Sequence, residues 1–402
     1  MMVRPKQIIY PLRYFGLSSL KSKLTENSLE HRVASFLGGD AYLKLIGRAR
    51  AGIYLLTKLA VGKTKRKVIL SPYTIPDVVN MVKFAGGDPV FVDFLPRSTN
   101  IDVDHLSHLI DERTCCVLVT HYHFNQNAVG DIAKICASKN IMLVEDCALS
   151  FGSKLPGDRA GGTTNASVFS FSGFKTLNFF WGGAIATSSL ELARRLSNEI
   201  DKWPRLRSRQ YGRQMLKILK YDLLTQKFLF TRLTFPLLKW RAQRLQSDVL
   251  PMVRVESTEL DDTILSRPSM QAIAEWDRKL PTVDAFVRHR RSIAAVYIRE
   301  LPEYLVSSET SRDVRDGSGL VNCPIHVDPE RRSAIVKRIF ANGFDVGLSL
   351  YPNVHELQGF NQIAGRSENV ARLVRSVITL PTHPRISEEY AYRLSTVIRG
   401  AI

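Results

Sequence analysis

VEDCALSFGS, residues 144–153, and VFSFSGFKTLNFFWGGAIAT, residues 168–187, are the two stretches around which this sequence is organised. The first belongs to an apolar run, IMLVED, whose acidic residues come only at its end. Strands of this kind in an α/β sheet present polar groups at their carboxyl edge, where such sheets bind ligands. We therefore predict that Asp146 lies at the carboxyl end of a buried strand.

The second stretch alternates Val168, Phe169, Ser170 and Phe171, presents Lys175 after a turn, and returns through two glycines into the strand AIAT. A lone lysine in apolar surroundings suits Schiff-base chemistry, because burial lowers its pKa and frees the neutral amine. Pyridoxal phosphate needs such a lysine, together with an acid that faces its pyridinium nitrogen. Taken singly, an aspartate at a strand end is commonly a turn former, and a lysine near glycines is commonly solvated.

Together the two stretches resemble the DegT/StrS family of pyridoxal-phosphate enzymes, most of which are nucleotide-sugar aminotransferases. EDCALS, FSFSGFK and GGAIAT follow the order of the family pattern EDAAQA, FSFHxxK and GGxxxT. Residues 71–94, 267–280 and 378–387 extend the likeness, which spans most of residues 30–402. The resemblance implies an α/β protein of the fold type I class, with a mostly parallel seven-stranded sheet in a large domain and a smaller α+β C-terminal domain.

The resemblance also implies roles for individual residues. Lys175 would hold the cofactor and move the proton of the amino donor, Asp146 would keep the pyridine nitrogen protonated, and Ser170 would hydrogen-bond the phosphate. Family enzymes bind this phosphate with backbone amides at a helix N-terminus, in an SGTAAL-like turn. Here the turn reads RARAGI, so that Ala49 and Arg50 replace the Gly-Thr pair. Arg50 could bind the phosphate itself, or it could be a surface arginine at the start of a helix.

Other positions depart from the family pattern. Leu149 stands where glutamine or histidine usually approaches the cofactor, Ile75 replaces the aromatic residue that stacks on the ring, and Ser172 replaces a histidine. His121 matches a family histidine, although a packed histidine is the plainer interpretation. The retained Lys175 argues against the sugar-dehydratase branch of the family, in which histidine takes that place.

Two hypotheses about function follow. The resemblance implies an aminotransferase that converts a 4-keto or 3-keto nucleotide sugar to an amino sugar, with glutamate the usual donor, and that acts as a homodimer. Its product would enter polysaccharide, glycolipid or amino-sugar metabolite biosynthesis. The altered cofactor positions motivate the second hypothesis, a non-catalytic or weakly catalytic relative that acts as a binding protein or a membrane-associated assembly protein. We expect no metal ion in either case.

The pattern along the chain predicts its domain organisation. Apolar strands alternate with helices up to IMLVED, which favours a mostly parallel sheet covered on both faces. No GxGxxG follows a strand, so a dinucleotide site is not expected. We predict an N-terminal arm over residues 1–29, a large cofactor-binding domain over 30–280 with an insertion at about 201–248, and a small domain over 281–402.

The charge of this chain of 402 residues is unevenly distributed. The formal net charge is +18, and residues 202–244 hold twelve Lys or Arg against one acid, a net +11. This basic segment is also apolar, which is typical of a peripheral contact with anionic lipid, but it could equally form a subunit contact that binds an anionic substrate. Nucleic acid is a further candidate, but RRM, zinc-finger and basic-zipper signatures are absent, so we expect no nucleic-acid binding.

Cysteine usage and hydropathy predict the compartment. The five cysteines form no CxxC or CxxxH pattern and are best explained as buried thiols. No apolar run reaches the ~18 residues that a membrane span requires, and the N-terminus has no signal-peptide pattern. We expect a cytoplasmic protein. The basic segment would allow it to make peripheral contact with the inner face of the membrane.

Overall fold

The computed structural model describes most of the chain. It covers residues 25–39, 41–122, 129–155, 158–159, 164–172, 175–177, 181–207, 223–224, 227–234, 236–237, 259–260 and 263–402, with residues 210, 212 and 216. Residues 1–24 of the predicted arm and most of the predicted insertion lie outside the described residues. The limits proposed for those segments, and the domain boundary near residue 280, therefore stay predictions.

Eleven strands are present in the described residues. In chain order they are β1 (Tyr42–Ile46), β2 (Lys67–Leu70), β3 (Asp88–Phe91), β4 (Thr114–Thr120), β5 (Met142–Asp146), β6 (Lys154–Leu155), β7 (Asp158–Arg159), β8 (Ala166–Ser170), β9 (Gly183–Thr187), β10 (Asn322–His326) and β11 (Val377–Pro381). Seven of them form one sheet in the order β1-β9-β8-β5-β4-β2-β3. Antiparallel pairs are formed by β6 with β7 and by β10 with β11.

Twelve helices of seven residues or more lie in the same part of the chain. They are α1 (Glu26–Leu37), α2 (Ala49–Ala60), α3 (Pro76–Phe84), α4 (Val103–Leu109), α5 (Val129–Ser138), α6 (Leu190–Ile200), α7 (Met270–Lys279), α8 (Val283–Glu300), α9 (Ser308–Asp316), α10 (Pro329–Ala341), α11 (Glu368–Ser376) and α12 (Glu388–Arg399). Shorter helical turns occur at Lys227–Leu229, Phe230–Thr234, Leu280–Thr282, Glu303–Leu305 and Val354–Glu356. None of the helices described has the length and apolar composition that crossing a bilayer would require.

Serine side chains begin four of these helices. Ser189, Ser269, Ser307 and Ser387 each precede a helix and accept a hydrogen bond from the backbone N–H three residues later. This contact satisfies one of the amide groups that the first helical turn leaves without a partner. The sequence thus sets the starts of α6, α7, α9 and α12 locally.

The direction of the strands brings many carboxyl ends to one edge of the large sheet. Strands β3, β2, β4, β5 and β8 are mutually parallel, whereas β9 runs antiparallel to both β8 and β1. The carboxyl ends of β4, β5, β8 and β1 and the amino end of β9 therefore share that edge. This arrangement confirms the predicted α/β fold with a mostly parallel seven-stranded sheet.

Strand β4 shows how the sheet is buried on both faces. Its sequence, TCCVLVT, is buried throughout. Cys116 and Leu118 pack in one apolar cluster with α2 and α3, while Val117 and Val119 pack in another with α4 and α5. Because successive side chains point to opposite faces, a strand covered on both sides must be apolar at every position. The five cysteines are all buried and free, as predicted.

The C-terminal part of the chain has its own apolar cluster. Residues of α8, α12, β10 and β11 pack together in it, with Ile293, Tyr297 and Leu394 among the buried members. A segment over residues 347–354 links this part to the large sheet, because the Val354 N–H donates to the Pro72 carbonyl at 2.9 Å. The link lies beside the carboxyl end of β2, at the same edge as the ends of β4 and β5.

Candidate active site

Asp146 is the last residue of β5 and is buried at the sheet edge. It pairs in register with Thr120 of β4 and Val168 of β8. Its Oδ1 accepts the Ala148 N–H at 3.0 Å, and its Oδ2 lies 3.5 Å from the Thr120 hydroxyl. Burial raises the pKa of Asp146, while these hydrogen bonds and the nearby charge of Lys175 lower it. The carboxylate is therefore held in a fixed orientation beside a cation.

Lys175 lies close enough to Asp146 for each charge to shift the pKa of the other group. Its backbone N–H donates to the Ser172 carbonyl at 3.0 Å, which holds the turn that follows β8. The pKa of Lys175 is lowered to about 8: burial is the main cause, the charge of Asp146 opposes it, and the charge of Arg290 adds to it. At this pKa roughly one amine in ten is neutral at pH 7, compared with about one in three thousand at the ordinary value. The structure thus supplies a nucleophilic amine.

Ser170 and the N-terminus of α2 both lie next to Gly183, at the start of β9. Ser170 is buried at the end of β8, pairs with Gly183, and lies 3.3 Å from the Ser172 hydroxyl. A Cβ on Gly183 would collide with the Phe169 carbonyl and would lie 3.1 Å from the Ala49 backbone nitrogen. Only glycine therefore lets the start of α2 approach this close to β8 and β9.

The close contact between the start of α2 and the strands β8 and β9 bears on whether the chain could hold the phosphate of pyridoxal phosphate. The first turn of α2 contains no acidic residue, and the positive end of its dipole favours an anion there. The Ser170 hydroxyl lies on the adjacent strand, and Lys175 and Asp146 lie on the same sheet edge. The residues present thus fit the cofactor: an amide-lined helix start and a hydroxyl for the phosphate, an amine for the aldehyde and a carboxylate for the ring nitrogen.

Arg50 has a carboxylate partner within the protein. Its guanidinium forms an ion pair with Asp77, in the first turn of α3, and only 19% of the Arg50 side chain and 4% of the Asp77 side chain are exposed. The pair joins the N-terminal turns of two helices that pack on the same face of the sheet. Of the two interpretations of Arg50, the structure thus favours a structural arginine, although one that is half-buried instead of exposed.

The positions that depart from the family pattern differ in their surroundings. Ile75 precedes α3 and is half-buried against the apolar cluster of that helix. Leu149 is buried and belongs to the cluster of the C-terminal part, with Ile293 and Leu320. Leu149 thus contributes to the packing between the segment after Asp146 and the C-terminal part of the chain.

His121 is held by a buried partner. Its Nε2 lies 2.8 Å from Glu145 Oε2, and Glu145 also accepts the Thr164 hydroxyl at 2.8 Å. Cys147 lies beside them, and the three potential ligand atoms are within 4.8 Å of one another. The hydrogen bond between His121 and Glu145 accounts for this arrangement, in keeping with the interpretation of His121 as a packed histidine.

Three tyrosines at the edge were not recognised from the sequence. The rings of Tyr73, Tyr122 and Tyr351 lie 5.0 to 5.8 Å apart, centroid to centroid. The Tyr73 hydroxyl lies 3.0 Å from Ser349 Oγ, and burial raises the pKa of Tyr351, with the charge of Asp146 adding to the effect. Tyr73 and Tyr122 each follow a strand, which is the signal that could have placed them here. Tyr351 comes from the distant 347–354 segment, for which the sequence offered no signal.

Comparison with known proteins identifies the family. The model of the DegT/DnrJ/EryC1/StrS aminotransferase family matches residues 19–215 and 270–399. A dTDP-3-amino-3,4,6-trideoxy-alpha-D-glucose transaminase from Micromonospora megalomicea subsp. nigra is 26% identical over 391 residues, 96% of this chain and 90% of the relative. A GDP-perosamine synthase from Escherichia coli O157:H7 is 31% identical over 138 residues, 34% of this chain and 38% of the relative.

A solved structure supports the same assignment at the level of the fold. An aminotransferase from Helicobacter pylori involved in the biosynthesis of pseudoaminic acid superposes with a TM-score of 0.73 at 18% identity, covering 96% of this chain and 94% of that one. The shared fold, the matched sequence segments and the lysine and aspartate at the sheet edge agree with one another. The chain therefore belongs to the DegT/DnrJ/EryC1/StrS family of aminotransferases, whose cofactor is pyridoxal phosphate.

Proposed function

We propose that this chain is a pyridoxal-phosphate-dependent aminotransferase that converts a keto nucleotide sugar to an amino sugar, with glutamate as the amino donor. The observation that carries the proposal is that Lys175 and Asp146 lie near each other at the sheet edge, close enough for each charge to shift the pKa of the other group. A half-buried lysine with a lowered pKa near a buried aspartate is costly to maintain, and such perturbed groups are typical of catalytic sites. The names of the relatives supply the substrate class, since they act on dTDP-linked or GDP-linked sugars.

Each residue has a defined task in this reaction. When bound, pyridoxal phosphate supplies a carbonyl that condenses with amines and a pyridinium ring that accepts the electron pair left when the donor loses its Cα proton. The low pKa of Lys175 makes its amine both the group that holds the cofactor and the base that takes the Cα proton. The Asp146 carboxylate keeps the proton on the ring nitrogen, and Ser170 with the start of α2 anchors the phosphate.

The first test is the visible absorption spectrum of the purified protein with pyridoxal phosphate, before and after glutamate, beside Lys175→Ala. We expect a band near the visible edge that requires Lys175 and that glutamate bleaches, because the donor then transfers its amino group. A panel of 3-keto and 4-keto nucleotide sugars would restore the band and identify the substrate. If no band forms at any cofactor concentration, the binding-protein hypothesis replaces this one.

We also propose that the enzyme is a homodimer, as the family resemblance implies. Light scattering coupled to gel filtration should give twice the mass of the chain with the cofactor bound. A monomer that is fully active would contradict the proposal.

The basic segment over residues 202–244 supports a further proposal, peripheral contact with anionic lipid at the inner face of the membrane. Among its described residues, several large apolar side chains are more than half exposed: Leu216, Leu223, Phe228, Leu233 and Leu237. Arg232 stacks over the Phe228 ring at 4.6 Å, so that basic and apolar groups share one surface. Co-sedimentation with anionic and neutral liposomes, with and without residues 202–244, tests the idea. Equal binding by both forms of the protein would exclude it.

A further inference from the structure

Arg290 occupies a position in α8 that the helical period reserves for apolar side chains. The buried residues of this helix include a stripe spaced by four and three residues, formed by Val283, Val287, Arg290, Ala294 and Tyr297, with Ile293 and Val296 beside it. Such a stripe faces the core of a protein. A guanidinium in the middle of it must therefore lie inside the molecule, and Arg290 is 2% exposed.

The guanidinium has no hydrogen-bond partner among the residues that the structure describes. Its Nε and Nη1 atoms are both fully buried and unpaired. Burial lowers the pKa of Arg290 to about 10, so the group is still a cation at neutral pH. A buried charge without a partner is strongly unfavourable, and buried polar groups are nearly always satisfied in native proteins. The unpaired donors thus indicate a place for an anion.

The neighbours of Arg290 along α8 place it beside the active site. Val287, one turn before it, packs against Gly152, where an added Cβ would lie 3.3 Å from the valine side chain. Ile293, one turn after it, shares an apolar cluster with Leu149. Both contacts are made with the short segment that follows Asp146. The charge of Arg290 also lowers the pKa of Lys175, which requires the two groups to be close.

The chemical nature of Arg290 and Lys175 indicates which anion would bind near Arg290. A guanidinium fork matches the geometry of a carboxylate and binds it through paired N–H donors. An amino-acid donor that reacts at Lys175 carries a carboxylate on the same carbon as its amino group, within a few bond lengths of the reacting nitrogen. The phosphate of the cofactor has a separate site, at Ser170 and the start of α2.

We propose that Arg290 binds the carboxylate of the amino donor and of the keto acid formed from it. The inference rests on the proposed transamination and adds a residue that selects its first substrate. Arg290 would thus act in the half-reaction with the amino acid and would be dispensable for holding the cofactor.

The main test compares Arg290→Met with wild type and with Arg288→Met, a matched control on the exposed side of the same helix. Isothermal titration calorimetry of the cofactor-loaded proteins would measure the Kd of glutarate, a dicarboxylate that cannot react, and of 2-oxoglutarate. We expect binding to weaken roughly 10- to 100-fold in Arg290→Met, because a charged hydrogen-bonded pair is lost. Arg288→Met should bind as wild type does.

A second readout separates this role from a structural one. Without ligand, Arg290→Met should unfold at the same temperature as wild type or at a higher one, since an unpaired buried charge has been removed. A marked loss of stability would mean that Arg290 supports the fold, and unchanged glutarate binding would mean that it does not face the donor. Either result overturns the proposal.

Two further measurements test the proposal that Arg290 binds the carboxylate of the amino donor. UDP-glucuronate tests the alternative source of the carboxylate: if Arg290→Met loses affinity for this sugar but not for glutarate, the carboxylate belongs to the sugar and our assignment is wrong.

The second measurement uses the wild-type protein alone. Saturating glutarate should raise the pH midpoint of the visible band, because an anion beside the Lys175 nitrogen favours its protonated form. An unmoved midpoint contradicts the proposal, whereas the absence of any band contradicts the transaminase assignment itself.

Discussion

Two arginines close to the active site differ in how the protein compensates their charge. Arg50, in the first turn of α2, is ion-paired with Asp77 of α3. Arg290, in the middle of α8, is more deeply buried and has no hydrogen-bond partner in the described part of the chain. The paired arginine joins two helices that belong to the sheet side of the site. Within the described residues the unpaired one leaves a charge without a partner near Lys175, and under our proposal a ligand neutralises it.

The comparison indicates that the groups proposed for catalysis and the group proposed to select the amino donor lie on different sides of the site. In the proposed reaction the sheet side would provide the amine, the carboxylate and the phosphate site, and its Arg50 has a carboxylate partner in the protein. The helix α8 provides a cation whose partner is expected from solution. Substitutions on the two sides should therefore impair the enzyme in different ways.

The largest effect is expected at the sheet edge. Replacing Lys175 with alanine removes both the amine that holds the cofactor and the base, so the half-reaction with glutamate should fall by at least about 100- to 10,000-fold. Single-turnover absorption measurements would detect it. Asp146→Asn should retain the fold and bind the cofactor, but react far more slowly. A half-reaction in Lys175→Ala within tenfold of wild type would remove the sheet edge from the mechanism.

The ion pair of Arg50 should contribute mainly to stability. Asp77→Asn leaves the half-buried guanidinium without its carboxylate, and we expect the free energy of unfolding to fall by about 2 kcal/mol, allowing for the part of Arg50 that solvent reaches. Urea unfolding of the cofactor-free protein would measure the change. The double variant Arg50→Met, Asp77→Asn should recover part of the loss. Equal losses in Asp77→Asn and Arg290→Met would abolish the distinction between the two arginines.

Much of this architecture was predictable, because its signals are local. The apolar strands of β2, β4 and β5 follow from runs that are buried on both faces, and Asp146 at the end of IMLVED was correctly placed at a carboxyl edge. The order and spacing of EDCALS, FSFSGFK and GGAIAT were sufficient to indicate the family and its cofactor. The closeness of Lys175 to Asp146 follows from the same pattern.

The remainder depends on contacts between distant residues. The partner of Arg50 lies in the next helix, and no local pattern distinguishes an arginine that binds phosphate from one that binds Asp77. Tyr351 reaches the site through the 347–354 segment, for which no local pattern in the sequence predicts a position. Arg290 did have a local signal, because it lies seven residues after Val283 and three after Val287 and so continues their apolar stripe. The stripe predicts burial, but only the structure shows that the guanidinium is unpaired.

Gly183 provides a test of the phosphate site that leaves both arginines intact. The Cβ of alanine at this position would collide with the Phe169 carbonyl of β8 and would lie only 3.1 Å from the Ala49 backbone nitrogen, so the start of α2 and the end of β8 would have to move apart. We expect the affinity for pyridoxal phosphate to fall roughly tenfold, as for a modest steric overlap. Fluorescence titration with the cofactor would measure it. Gly130→Ala is the matched control, since an added Cβ there meets no atom within 4 Å.

The smallest effect concerns the coupling of Arg290 to Lys175 across the two sides of the site. A positive neighbour disfavours the ammonium form, so removing it in Arg290→Met should raise the pKa of Lys175 above its value of about 8. The rate at which the cofactor attaches depends on the neutral amine, and it should rise with pH to half its maximum near the pKa. Its midpoint should therefore move upward by roughly half a pH unit to one unit, while Arg288→Met leaves it unchanged. A downward shift would mean that Arg290 acts through packing, since loss of a cation cannot stabilise the neutral amine. An equal upward shift in both variants would show that the Lys175 pKa follows the overall charge of α8. Arg290 would then affect Lys175 no more than an exposed arginine of the same helix does.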